Sequence, residues 1–181
     1  MICNHLFGFL ALATYAATLI PSNIIKIFTH TKKWRINTFL LKKRRLLGLM
    51  AFSLSVNHTL ISLDKYNINL LNLETYNTYY TGIISLAIFS LLAFTSNNWS
   101  IRQLKHKWKI LHQLTYVAMF LLLWHILIMM KDSWTWLTPI ALQLLIVTSL
   151  IFLTRLFITS KKMIVRKLQV KNQISNEIEI T

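Results

Sequence analysis

The chain has 181 residues, 55% of them hydrophobic and only 14% charged, and its mean hydropathy is +0.50. A soluble domain is about 25% charged, so the composition excludes an ordinary soluble fold and points to an integral membrane protein. The net charge of +15 does not imply a nucleic-acid partner, because the cations lie between apolar runs and form no single patch. Membrane topology and lipid head groups account for them.

Three glycines and two prolines leave few turns, which suits a few long helices. The expected fold is all-α, an integral membrane helical bundle with about five transmembrane helices. The single cysteine, Cys3, excludes an internal disulfide and a Cys-ligated cluster within one chain. The Asn-, Ile- and Lys-rich composition suits an AT-rich genome, bacterial or plastid.

The first apolar run is Ile2 to Ile20, closed by Pro21 and Ser22. About 20 residues at ~1.5 Å each cross a ~30 Å hydrocarbon core. The run has no basic start and no clear small-residue cleavage site, so it reads as a retained helix and not a signal peptide. Asn23 to Arg45 follows, with Lys26, Lys32, Lys33, Arg35, Lys42, Lys43, Arg44 and Arg45. Its middle, Ile24 to Phe39, is expected to form an amphipathic interfacial helix. The second run, Leu46 to Leu63, contains His58. It is short for a span, so it should begin before Leu46 and let Arg44 and Arg45 snorkel.

Asp64 to Thr78 is slightly acidic. The third run is Tyr79 to Phe94, opened by two tyrosines of an aromatic belt. Thr95 to Leu111 adds Arg102, Lys105, Lys107 and Lys109, with Trp99 and Trp108 at the interface. The fourth run is His112 to Met130 and contains His125. Lys131, Asp132 and Ser133 make a short turn, and the fifth run is Trp134 to Phe157, with Pro139 tolerated in its first turn. The chain divides into a transmembrane domain, 1–157, and a basic cytoplasmic tail, 158–181.

Basic and non-basic connections alternate, which fits the positive-inside rule with five spans, the N-terminus outside and the C-terminus inside. The second and fourth runs are then parallel. His58 is 13 residues beyond Arg45 and His125 is 13 beyond His112. His58 and His125 therefore fall at matching depth toward the outer leaflet, and His112 lies about 20 Å below them.

An ionisable residue inside a span is costly and marks a functional site, and neutral imidazole is the usual protein ligand of haem iron. Two histidines at equal depth on parallel helices can clamp one haem, and such ligation favours electron transfer over oxygen binding. The competing reading is that each histidine bonds a backbone carbonyl or faces a small water pocket. His112 is rotated about 140° from His125 on an ideal helix. A second haem, a quinone or a lipid head group are its candidate ligands. His5, His30 and His106 lie at or beyond the membrane edge and are not assigned a role. Arg44 and Arg45 serve topology and anionic lipid, or pair with haem propionates or a redox cofactor's phosphate. Asn57 and Trp124 read as packing residues. No Gly-rich phosphate loop, Cys-x-x-Cys pair or intramembrane carboxylate relay is present.

Three stretches carry a resemblance: KKRRLLGLMAFSLSVNHTLISL (Lys42 to Leu63), TGIISLAIFSLLAFTS (Thr81 to Ser96) and WKILHQLTYVAMFLLLWHILIMM (Trp108 to Met130). They are similar to the ferric-reductase-like transmembrane superfamily and, within it, the MsrQ family of haem-binding membrane subunits of bacterial periplasmic methionine sulfoxide reductase systems. The similarity runs from about Gly8 to Leu156. The resemblance implies an inner-membrane haem b protein that takes electrons from quinol or a flavin reductase. Its acceptor would be a periplasmic reductase subunit of the methionine sulfoxide reductase type. By position, His58, His112 and His125 match the family's haem-linked histidines. A flavin mononucleotide (FMN) is also associated with the family, and no motif here places it.

The family has six spans, and the expectation is that this chain lacks the first. Wider members carry two histidines on each of two helices, and here Arg44 or Arg45 stands in place of the first on the second run. One haem, on His58 and His125, is therefore expected, and a second would need unusual ligation at His112. The chain is expected to be an electron-transfer subunit that is not catalytic alone. The alternatives are a ferric-chelate-type metalloreductase and a non-redox membrane assembly protein with structural histidines.

Overall fold

The structure is a computed structural model that describes residues 2–65, 73–129 and 135–179, with side chains described for 4–65, 79–129 and 135–169. The Lys131–Ser133 turn, Trp134, Cys3 and Glu74 lie outside the described residues or side chains. Among the described residues every regular element is helical. The helices are α1 (Ile2–Ile27), α2 (Arg35–Lys42), α3 (Arg44–Lys65), α4 (Leu73–Phe94), α5 (Asn98–Leu104), α6 (His106–Leu111), α7 (Leu114–Met129) and α8 (Leu137–Glu179).

Four helical segments are long and apolar enough to cross a membrane: Asn4–Ile27, Arg44–Lys65, His106–Met129 and Leu137–Gln169. The fifth candidate is Tyr79–Phe94, which bends by 93° into Asn98–Leu104. With its first turns included, α4 has 22 residues, about 33 Å, enough to span. The protein is an integral membrane helical bundle.

Several boundaries differ from the sequence expectation, each for a physical reason. Pro21 lies inside α1 and does not close it. In hydrocarbon a freed backbone group has no water to turn to, so the helical conformation persists through the missing donor. The span on α3 starts at Arg44, as the snorkelling argument requires. Ile24 to Phe39 is not one interfacial helix. It breaks at Phe28 and Trp34 around a tight turn, Thr29–Lys33, and α2 runs from Arg35. Asn37 is the buried residue of α2, its amide donating to Thr31 O at 3.0 Å, so the break is locked by a side-chain bond. Finally, residues 158–179 continue α8 without interruption.

The four spanning helices and the candidate span α4 form a closed ring in the order α1, α3, α4, α7, α8, each packed on the next and α8 back on α1. Between helices in lipid the hydrophobic effect is weak, so close backbone approach through small residues has to do the work. Ala11, Ala16, Ala118, Ala141, Ser85, Thr148 and Ser149 are all buried. Larger side chains fill the centre: Leu12, Tyr15, Leu19, Phe89, Met119 and Leu145. Tyr15 packs on Phe89 with ring centroids 5.0 Å apart, and its hydroxyl donates to the Thr115 carbonyl. That bond ties α1 to the first turn of α7.

Candidate functional site

His58 lies near the end of α3, where that helix passes the start of α1. Its Nδ1 is 3.0 Å from the Asn4 carbonyl oxygen. A carbonyl only accepts, so Nδ1 carries the hydrogen and Nε2 holds the lone pair. Asn4 is itself buried, and its amide donates to Ser62 Oγ at 2.9 Å. The ring also rests on Gly8: a Cβ there would lie 3.1 Å from both Cε1 and Nδ1.

His125 lies toward the end of α7, beside the start of α4. Its Nδ1 is 3.2 Å from the hydroxyl of Thr81, a residue only 1% exposed. Gly82 is next to it, and a Cβ at Gly82 would stand 2.8 Å from Cε1 of His125. The two histidines thus share a pattern. Each is seated on a glycine of a neighbouring helix and bonded through Nδ1 by the same helix. Both stand at the end of the bundle where α1 and α4 begin, away from the basic connections. α3 and α7 are not neighbours in the helix ring.

His112 is elsewhere. It caps α6 at the break before α7, lies against Trp108 with ring centroids 4.0 Å apart and planes tilted by 33°, and its Nε2 is 3.5 Å from Thr95 Oγ1. It lines a cavity of about 950 Å³ at the basic end, with Arg44 and Arg45 of α3 and Lys26, Lys109 and Arg155. Arg45 also donates to Asn98 Oδ1 at 3.0 Å. The structure therefore brings Arg44, Arg45 and His112 together and keeps them apart from the His58–His125 end. His30 and His106 are exposed, as are Asn57 and Trp124.

The sequence reading missed Asn4, Gly8, Thr81 and Gly82. One signal was available: the chain has only three glycines, and two of them face these histidines. Arg155 was missed as well, although it is a lone cation inside the fifth apolar run.

A family model described as "Ferric reductase like transmembrane component" matches residues 7–124. The chain belongs to the ferric-reductase-like transmembrane family. Among curated proteins it is 39% identical over 137 residues to the "Protein-methionine-sulfoxide reductase heme-binding subunit MsrQ" of Brucella ovis, covering 72% of this chain and 58% of that protein. The protein of the same name from Brucella abortus (strain S19) matches equally, and that of Brucella melitensis biotype 2 is 38% identical over the same length. The chain thus spans a little under three-fifths of the length of these relatives. No solved structure matches it.

Membership of the ferric-reductase-like family raises the question of whether these residues suit a haem. Among the described residues there is no group of three or more His, Cys, Asp or Glu side chains that could hold a bare metal ion. Two histidines on separate, non-neighbouring helices suit a flat macrocycle that brings four of its own ligands. The glycine seats and the Nδ1 partners fit as well. An axial histidine usually donates its second ring N–H to a carbonyl or hydroxyl, which fixes the tautomer and the ring plane.

Proposed function

We propose that the protein is a membrane haem b electron-transfer subunit, in which His58 and His125 would hold the haem iron. The observation that carries this reading is the Asn4 carbonyl on His58 Nδ1, since it leaves the ligating nitrogen unprotonated. Haem b, when bound there, supplies a reversible one-electron couple. The Asn4 carbonyl holds the tautomer of His58, and the Thr81 hydroxyl holds the orientation of the His125 ring. Gly8 and Gly82 let α1 and α4 approach the rings closely enough to fix their planes. The apolar helix ring keeps water away from them.

The direction follows from the charge pattern. The cationic connections α1–α3 and α4–α7 and the extension of α8 belong on the cytoplasmic face of a bacterial inner membrane. The N-terminus is then outside, and His58 and His125 lie near the periplasmic surface, within reach of a periplasmic acceptor. A reductase subunit of the methionine sulfoxide type fits the relatives' printed names. Quinol, or a soluble flavin reductase, would deliver electrons at the opposite, basic face.

The test is a dithionite-reduced minus air-oxidised spectrum with a pyridine haemochrome assay on the purified chain, expressed with haem available. Low-spin haem b near one per chain supports the reading. A wild-type protein with no Soret band overturns it.

A further inference from the structure

His58 and Asn4 are joined by more than the bond at Nδ1. Ser62 follows His58 by four residues, so the two side chains lie on one face of α3, one turn apart. Asn4 Nδ2 donates to Ser62 Oγ at 2.9 Å, and Ser62 Oγ donates to the His58 carbonyl at 2.8 Å. A hydroxyl has one hydrogen to give, so the longer contact from Ser62 Oγ to Asn4 Oδ1, 3.3 Å, is the lesser of the two. The bonds close a loop. The His58 ring donates to the Asn4 backbone at 3.0 Å, the Asn4 side chain donates to Ser62, and Ser62 donates to the His58 backbone. Every donor points the same way round, an arrangement in which the bonds polarise one another.

A serine hydroxyl bonded to the carbonyl four residues back is ordinary in helices and by itself carries nothing. Here the same hydroxyl also accepts from a side chain of another helix. That amide belongs to a residue only 4% exposed, so without Ser62 its donor would be buried and unpaired. Gly8, the seat of the His58 ring, follows Asn4 by four residues, so seat and carbonyl share one face of α1. A shift of the first turn of α1 therefore moves both. His125 is bonded to the Thr81 hydroxyl, which can donate or accept, and among the described residues no second side chain closes a loop around it.

We propose that Ser62 is a positioning residue for His58. Through the Asn4 amide it clamps the start of α1 to the end of α3 and keeps the Asn4 carbonyl on the imidazole. The effect on iron presupposes the haem reading above, whereas the clamp itself does not. A carbonyl held on Nδ1 makes the imidazole a stronger metal donor, which favours oxidised iron and keeps the midpoint potential low. The clamp also makes the two histidines unequal, with His58 the more firmly held.

The experiment uses the full chain in detergent, as wild type, Ser62→Ala, Ser62→Thr, Asn4→Ala and the double variant of Asn4→Ala with Ser62→Ala. Histidine nitrogen NMR of the haem-free protein, with His58 assigned from its loss in His58→Ala, reads which ring nitrogen carries the hydrogen. Titrations of the haem-loaded protein read the midpoint potential and the haem affinity. The wild type should carry the hydrogen on Nδ1. Ser62→Ala should give a mixture of tautomers, a haem affinity about tenfold lower and a higher potential. Ser62→Thr, which keeps the hydroxyl, should restore all three. Asn4→Ala should match Ser62→Ala, and the double variant should be no worse than either, because the two residues act as one unit. A merely structural contact would lower the thermal midpoint and leave tautomer and potential as in wild type, and that result overturns the proposal. So does a wild-type His58 with its hydrogen on Nε2, which requires no variant to fold. A wild type that takes up no haem overturns the haem reading alone, and the tautomers of the haem-free protein then decide the clamp.

Discussion

His58 Nδ1 donates to the Asn4 carbonyl across the α1–α3 contact at 3.0 Å. A histidine bonded to a backbone carbonyl is what a merely structural histidine would also show. The difference lies in what remains: Nδ1 is used, Nε2 has no hydrogen-bond partner among the described residues, and the ring is pressed on Gly8, where no side chain competes for the space.

The glycine seats differ in tightness, and that difference is measurable. A Cβ at Gly82 would come to 2.8 Å of His125 Cε1, whereas at Gly8 the nearest ring atom would be 3.1 Å away. Overpacking of this kind costs about 1–3 kcal/mol. Gly82→Ala should therefore lower haem occupancy and broaden the reduced α-band more than Gly8→Ala does. Equal spectra for both variants and wild type would show that neither ring is where the structure places it.

Thr81 offers a second handle. Replacing its hydroxyl in Thr81→Val leaves Nδ1 of His125 without its hydrogen-bond partner, at a cost of about 1–3 kcal/mol. Loss of such an outer partner lowers metal affinity about 10–100-fold. A less basic imidazole also favours the reduced iron, so the midpoint potential should rise. Thr81→Ser should restore both values. Haem titration and a redox titration read them out, and an unchanged potential in Thr81→Val would remove Thr81 from the site.

Tyr15 separates fold from function. Its hydroxyl donates to the Thr115 carbonyl and its ring packs on Phe89. Tyr15→Phe keeps the ring contact and loses the bond, about 1 kcal/mol. The thermal midpoint in detergent should fall by a few degrees while the haem spectrum stays as in wild type. A collapsed spectrum would mean that the two ends of the bundle are coupled.

The long apolar runs made the spans legible before any coordinates, and the alternation of charge is the basis for expecting the second and fourth runs to be parallel. The matching 13-residue offsets are the basis for expecting His58 and His125 at one level, although the second offset crosses the break between α6 and α7. Spacing along one chain carries no information about which neighbour a side chain meets, so Asn4 and Thr81 were out of reach. Pro21 was misread because its usual role as a helix terminator rests on competition from water, which hydrocarbon removes. Arg155, inside the fifth apolar run, was passed over. Only the packing of α8 against α1 and α7 shows its two neutral acceptors, Asn23 Oδ1 and Tyr116 Oη.

His112 is the remaining point of division. It stacks on Trp108 at the basic end, in the same cavity as Arg44 and Arg45, so its removal should leave the outer ligand pair intact. The direct measurement is the haem b content per chain, by pyridine haemochrome and reduced-minus-oxidised spectrum, of wild type, His58→Ala, His125→Ala and His112→Ala. The account predicts loss of the low-spin haem when either His58 or His125 is removed, and retention with His112→Ala. Retention of low-spin haem in both His58→Ala and His125→Ala would contradict it.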